Sequence, residues 1–222
     1  MDRRTYSPRI TRLSWGRLET ESGVFKDVKL YPGGEDEAPR GGAGQAAAQA
    51  DPGQLGAVAV DLLRPGLDLL FCGYNPSLTS GHTGYHYAHP GNRFWHVLFA
   101  SGITDRLYAP EEDASLLDLG IGFTNLCPRP TRRADELGRE EIRAGADVLS
   151  GRLQRYRPRA VAYTGIGVYR WFRATSKVSW GVQPDSAVQG VTDVVVPSPS
   201  GLNRMRFEEL VDHYRALEPL IK

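Results

Sequence analysis

Four short apolar runs, at residues 67–73, 122–127, 159–164 and 191–197, alternate with segments of helical period. That alternation leaves few folds open. Leu69, Leu70, Phe71 and Cys72 have no polar residue among them, as a buried strand requires. Between and after the runs, Asn92–Ser101 predicts a short amphipathic helix stopped by Gly102. Glu140–Tyr156 predicts a longer one with Ile142, Leu149 and Leu153 on one face, and Gly167–Arg173 a third. Phe207, Leu210, Val211, Tyr214 and Leu217 keep the 3–4 spacing of a closing helix. Strands and helices in this order form an α/β protein, a three-layer sandwich with a central, mainly parallel sheet flanked by helices.

Two of the runs end in polar, tightly turning tips. After Phe71 and Cys72 come Gly73, Tyr74, Asn75, Pro76 and Ser77, where glycine permits the turn and proline restricts the backbone after Asn75. Val194-Val-Val-Pro-Ser-Pro-Ser-Gly-Leu-Asn-Arg204 repeats the design. Open α/β sheets place their sites at the carboxyl ends of strands, so two such tips predict one cleft.

The repeating part starts near residue 58, and 58–222 is expected to be one domain. Residues 36–57, rich in Gly, Ala, Pro and Gln, compose a linker. Within 1–35, Ser14–Thr20 and Gly23–Tyr31 alternate like the arms of a hairpin. No run approaches the ~20 apolar residues of a membrane span. The start, Met1-Asp-Arg-Arg-Thr-Tyr-Ser, lacks the apolar stretch of a signal peptide, so a cytoplasmic location is expected. Cys72 and Cys127 read as buried thiols, too few for an iron–sulfur cluster. Net charge is only +1, but 23 of the 27 cations are arginine, clustered at 129–143 and 152–159 and again at Arg204 and Arg206. Arginine suits bidentate phosphate recognition.

Residues 73–95 mix glycines, hydroxyls, histidines and aromatics, as a functional loop does. Tyr85 and Tyr87 there could stack on a planar ligand. Four motifs in this order are specific: Gly73-Tyr-Asn-Pro76, His89-Pro-Gly-Asn-Arg-Phe-Trp95, Gly120-Ile-Gly-Phe-Thr-Asn125 and Pro199-Ser-Gly-Leu-Asn-Arg204. Together they resemble the mismatch-specific uracil/thymine-DNA glycosylase family, in register from about Leu62 to Leu217.

The resemblance implies hydrolysis of the N-glycosidic bond of a flipped-out base, uracil most readily when opposite guanine, within base excision repair. Thymine opposite guanine and cytosine adducts are further implied substrates. By the same resemblance Asn75 holds the attacking water and is the catalytic residue. Because an amide cannot remove a proton at neutral pH, the leaving group must carry the reaction, which suits uracil. Gly73, Tyr74, Tyr87 and Asn125 align with the base pocket, Tyr87 as the stacking aromatic and Asn125 as an amide on the uracil edge. Ser200, Gly201, Leu202 and Asn203 align with the loop that enters the duplex, with Leu202 as the wedge. Backbone groups around Gly201 and Asn203 would meet the widowed base, while Arg204 and Ser80 would contact phosphates. The partner is thus double-stranded DNA bearing uracil or a mismatch, bound by a monomer without metal or organic cofactor.

The four lysines, Lys26, Lys29, Lys177 and Lys222, lie outside the motifs, so no Schiff-base lyase step is expected. Ser77, Ser198 and Tyr74 depart from the family's usual glycine, asparagine and aliphatic residue, which bears on substrate range. Asp118 is a candidate carboxylate to assist the water. Other readings compete. His82, His86, His89 and His96 suggest a metal hydrolase, but Gly81, Gly84 and Pro90 break a common helix and no acidic or cysteine ligand pattern joins them. His89 reads instead as a loop brace. Gly165-Ile-Gly167 hints at a dinucleotide site, but Arg170 stands where the third glycine belongs. A DNA-binding module without catalysis is the remaining alternative.

Overall fold

A computed structural model describes residues 60–221 and three short strands before them, β1 (Thr11–Leu13), β2 (Arg17–Glu19) and β3 (Phe25–Asp27). These three form an antiparallel sheet in that order. The expected hairpin is the β2–β3 pair, with Arg17 opposite Asp27 and Glu19 opposite Phe25; β1 is an addition to it. The linker at 36–57 lies outside the described residues.

From residue 60 the expected alternation is present. Strands β4 (Leu69–Gly73), β5 (Ile121–Asn125), β6 (Ala160–Thr164) and β8 (Thr192–Val196) run parallel, in the order β5-β4-β6-β8. The two-residue β7 (Gly181–Val182) adds an antiparallel edge beside β8. An edge this short offers little template for strand pairing with another chain. Helices α2 (Phe94–Ala100), α3 (Arg139–Tyr156), α4 (Ile166–Arg173) and α5 (Phe207–Arg215) fall within two residues of their predicted limits. Helix α2 packs with α5, and α3 with α4.

The period of two along each strand sorts the core into two faces. Phe71 lies level with Phe123 on β5, and its ring meets Phe94 of α2 edge-on at 5.0 Å and stacks near Tyr214 of α5 at 6.2 Å. Tyr163 serves the opposite face, 5.5 Å from Phe172 and 4.9 Å from Tyr169 of α4. Phe71, Phe94, Phe123, Tyr163 and Tyr214 are fully buried, and each such ring contributes about 1.5–3 kcal/mol on area grounds. Every residue of β4 is buried, which explains its uninterrupted apolar run.

The chain leaves β4 toward β5 on one side, then crosses to β6 on the other. That reversal is a topological switch point, where loops diverge and a crevice opens at the carboxyl ends. One helix there was not foreseen: α1 (Leu78–Thr83) occupies part of the segment read as a long loop. Ser77 caps it, accepting the Ser80 N–H at 3.1 Å, and Gly84 ends it at φ 80°. A side chain at Gly81 would collide with Pro130, so glycine lets α1 approach the loop after β5.

Candidate active site

A cavity of about 220 Å³ opens at the switch point. The ends of all four parallel strands line it: Gly73–Ser77 after β4, Asn125 and Thr131–Ala134 from β5, Thr164 at β6, and Ser198–Ser200 with Leu202 after β8.

Asn75 is fixed through one end of its amide. Nδ2 donates to the carbonyl of Arg129 at 2.9 Å and to Thr131 Oγ1 at 2.7 Å. A carbonyl can only accept, so the nitrogen must sit there and the assignment of the two amide ends follows. Thr131 Oγ1 commits its own proton to the Arg133 carbonyl at 2.7 Å, leaving a lone pair for Asn75. Oδ1 has no donor among the described residues, in a side chain that lines the cavity. It is an oriented acceptor.

Asn125 projects against Gly73, where a Cβ would come within 2.5 Å of its Oδ1 and 3.6 Å of the Tyr87 hydroxyl. Glycine at 73 is therefore a packing requirement of the pocket. The Asn125 amide lines the cavity with no hydrogen-bond partner among the described residues. Tyr87 adopts φ 53°, a left-handed backbone costing on the order of 1–3 kcal/mol for a non-glycine residue. Phe94 stacks on its ring at 3.8 Å and 11°, and its hydroxyl lies 3.5 Å from Thr164 Oγ1. Burial pushes the Tyr87 phenol well above its ordinary value, so it stays neutral. Tyr85 is not among the residues lining the cavity.

His86 is buried in the cavity wall with its ring 5.1 Å from that of Phe123. Asp113 Oδ2 takes both the His86 backbone N–H and Nδ1, each at 2.9 Å. With Nδ1 on Asp113, Nε2 is buried without a hydrogen-bond partner among the described residues. Asp113 lies 27 residues away, so no local pattern exposed the pair.

Arg93 builds the second tip. Its guanidinium donates to the carbonyls of Met205 at 2.8 Å and Asn203 at 2.9 Å, and its backbone N–H to Pro199 O at 3.0 Å. Gly201 rests on Gly91, since a Cβ would stand 2.5 Å from the Gly91 carbonyl. Held this way, the loop presents Leu202 at 77% exposure, an apolar tip that no described residue covers. Arg93 lies inside a quoted motif, but its role depends on a contact 110 residues away.

The remaining expectations divide. Gly73, Tyr74, Asn75, Tyr87, Asn125, Ser200 and Leu202 meet around the cavity. Arg204 is exposed beside it, with no ion-pair partner among the described residues. Ser80 also lines the cavity; it is 3% exposed, and its hydroxyl accepts the Ala88 N–H at 3.1 Å, so it braces the loop as well. Asn203 is a correction. Its N–H donates to Ser200 O, its carbonyl takes Arg93, and its amide binds Ser198 O and the Met205 N–H. The Gly201 N–H and carbonyl have no hydrogen-bond partner among the described residues. Asp118 stands before β5, at the end opposite the cavity, and cannot touch a water there. No Asp or Glu is among the described residues lining the cavity. His89 does brace its loop, accepting the Gly91 N–H at 3.0 Å. Among the described residues no three His, Cys, Asp or Glu side chains gather as a metal-binding group, and no helix is long and apolar enough to cross a membrane.

Residues 60–220 match the family model described as the Uracil DNA glycosylase superfamily.

Proposed function

The chain belongs to the uracil-DNA glycosylase superfamily, whose members are DNA glycosylases of base excision repair, and on that premise we propose that it is the mismatch-specific, monofunctional kind. It flips uracil from the duplex, best when opposite guanine, and hydrolyses the N-glycosidic bond to leave an abasic site. Thymine opposite guanine and cytosine adducts are secondary substrates.

The observation that carries this reading is the amide of Asn75, anchored at Nδ2 and open at Oδ1. Oδ1 accepts one proton of a water and turns its lone pair toward C1′ of the flipped nucleotide. With no carboxylate among the described residues of the cavity wall, the water is oriented but hardly activated. Bond breaking therefore runs ahead of attack, through an oxocarbenium-like sugar. Tyr87, backed by Phe94, stacks on the base, and the unpartnered Asn125 amide bonds its edge. Charge accumulating on the departing uracil is met by such fixed dipoles, which cost no reorganisation during the reaction. Leu202 fills the gap in the stack, and Gly201 offers its backbone to the widowed base.

Single-turnover base release from uracil opposite guanine, uracil opposite adenine, single-stranded uracil, and thymine opposite guanine tests the reading. Fastest release opposite guanine is the expected result. Equal release from every uracil substrate would overturn the mismatch specificity. No release from any would overturn the enzyme and leave a DNA-binding module.

A further inference from the structure

The arginine run at 129–133 divides by role. Arg129 is consumed internally: Nε and Nη2 grip the two Glu141 oxygens at 2.8 and 2.9 Å. Arg132 and Arg133 instead line the cavity, the only lysines or arginines among the described residues that do. Arg132 is exposed and has no ion-pair partner among the described residues. Arg133 leans on Asp135 at 2.8 Å, but both side chains are more than 60% exposed, and a pair so wet is worth about 0–1 kcal/mol. An incoming anion can displace it.

Their backbone is fixed from three directions. The Thr131 N–H donates to Pro76 O at 3.2 Å, Thr131 Oγ1 donates to Arg133 O, and the Arg133 N–H donates to Glu136 Oε1 at 2.8 Å. The sheet order separates this loop from the Leu202 loop by three strand spacings, about 14 Å, with the Asn75 tip between them.

We infer that Arg132 and Arg133 form a phosphodiester clamp on the side of the cavity away from Leu202, holding the backbone beside the flipped nucleotide. This inference rests on the glycosylase reading. A base that enters the cavity leaves its sugar and phosphates at the mouth, where a planar guanidinium can take two phosphate oxygens at once. Thr131 adjoins the clamp and holds the Asn75 amide, so gripping the strand also steadies the water-holding group. Phosphate contacts carry no sequence information. The clamp therefore serves every duplex alike.

The test is equilibrium binding of the full chain between about 50 and 200 mM KCl. One duplex carries cleavage-resistant 2′-fluorodeoxyuridine opposite guanine, and its twin carries no uracil. Arg132→Gln and Arg133→Gln should each make the slope of log K against log[KCl] shallower by about 0.9 and weaken both duplexes by the same factor. Their melting temperatures should match the parent, and Arg143→Gln, on the exposed part of α3, should keep the parent slope. Parent slopes in both cavity variants would overturn the clamp while leaving the glycosylase intact. A parent chain that binds neither duplex and releases no base would overturn the glycosylase reading and the clamp with it.

Discussion

At the scale of single residues, the candidate site works through two amides, Asn75 with one end anchored and Asn125 with no hydrogen-bond partner among the described residues. Thr131 decides which end Asn75 presents, because its hydroxyl proton already belongs to the Arg133 carbonyl. Thr131→Val removes that acceptor. Losing one neutral hydrogen bond of about 1 kcal/mol should slow single-turnover uracil release about fivefold with duplex affinity unchanged. Thr131→Ser should restore the rate, which a purely structural threonine would not require. Asn125 permits a test of charge: Asn125→Asp sets a carboxylate against the departing uracil anion and should slow release more than Asn125→Ala. Equal effects would remove Asn125 from the base edge. Asn75 and Asn125 were legible because each closes an apolar run. Thr131 was not, since nothing in Pro-Arg-Pro-Thr-Arg-Arg marks a threonine whose two partners come from different turns. The Ser77 hydroxyl, read as bearing on substrate range, lines the cavity and also caps α1, a role worth about 1 kcal/mol.

At the scale of elements, close approaches do the positioning. Helix α3 comes so near β5 that a Cβ on Gly145 would stand inside the Leu126 carbonyl. Gly145→Ala should cost about 1–3 kcal/mol, lowering the melting temperature by several degrees. An unchanged melting curve would mean that the helix slides freely. The Leu202 loop is rigid before DNA arrives, because Arg93 ties its carbonyls to α2. Leu202→Ala should therefore slow release from duplex DNA while leaving release from single strands near the parent rate. Strands and long helices were legible from their apolar period. Helix α1 was not: six residues with an internal glycine carry no period, and its reasons for forming are a cap and the proximity of Pro130. Asp118 misled for a related reason, since nearness in sequence to a strand does not tell which end of it faces the cavity.

At the scale of the whole molecule, the parallel sheet converges four strand ends on one cavity and buries what lies beneath. Cys72 sits fully buried in β4 and Cys127 just past β5. Burial pushes the Cys127 thiol up to about 11 and the Cys72 thiol higher still. Raised thiols favour the fold below their ordinary value near 9, and that contribution is lost as pH rises toward 11. Melting temperature should accordingly fall across pH 9–11, less steeply in Cys127→Ala; an identical slope in that variant would assign the loss elsewhere. The parallel sheet was legible because its four parallel strands declared themselves in sequence; their order and the two-residue edge strand β7 were not. The partition of arginines among Glu141, the loop carbonyls and the cavity mouth was not, since it depends on contacts that only the folded sheet creates. All of the proposed chemistry turns on Asn75 holding the water. That role is tested most directly by single-turnover uracil release from a uracil–guanine duplex with Asn75→Ala, alongside equilibrium binding of the same duplex. The rate should fall by about 10²-fold or more, with affinity within a few-fold of the parent. Release at the parent rate would contradict that role.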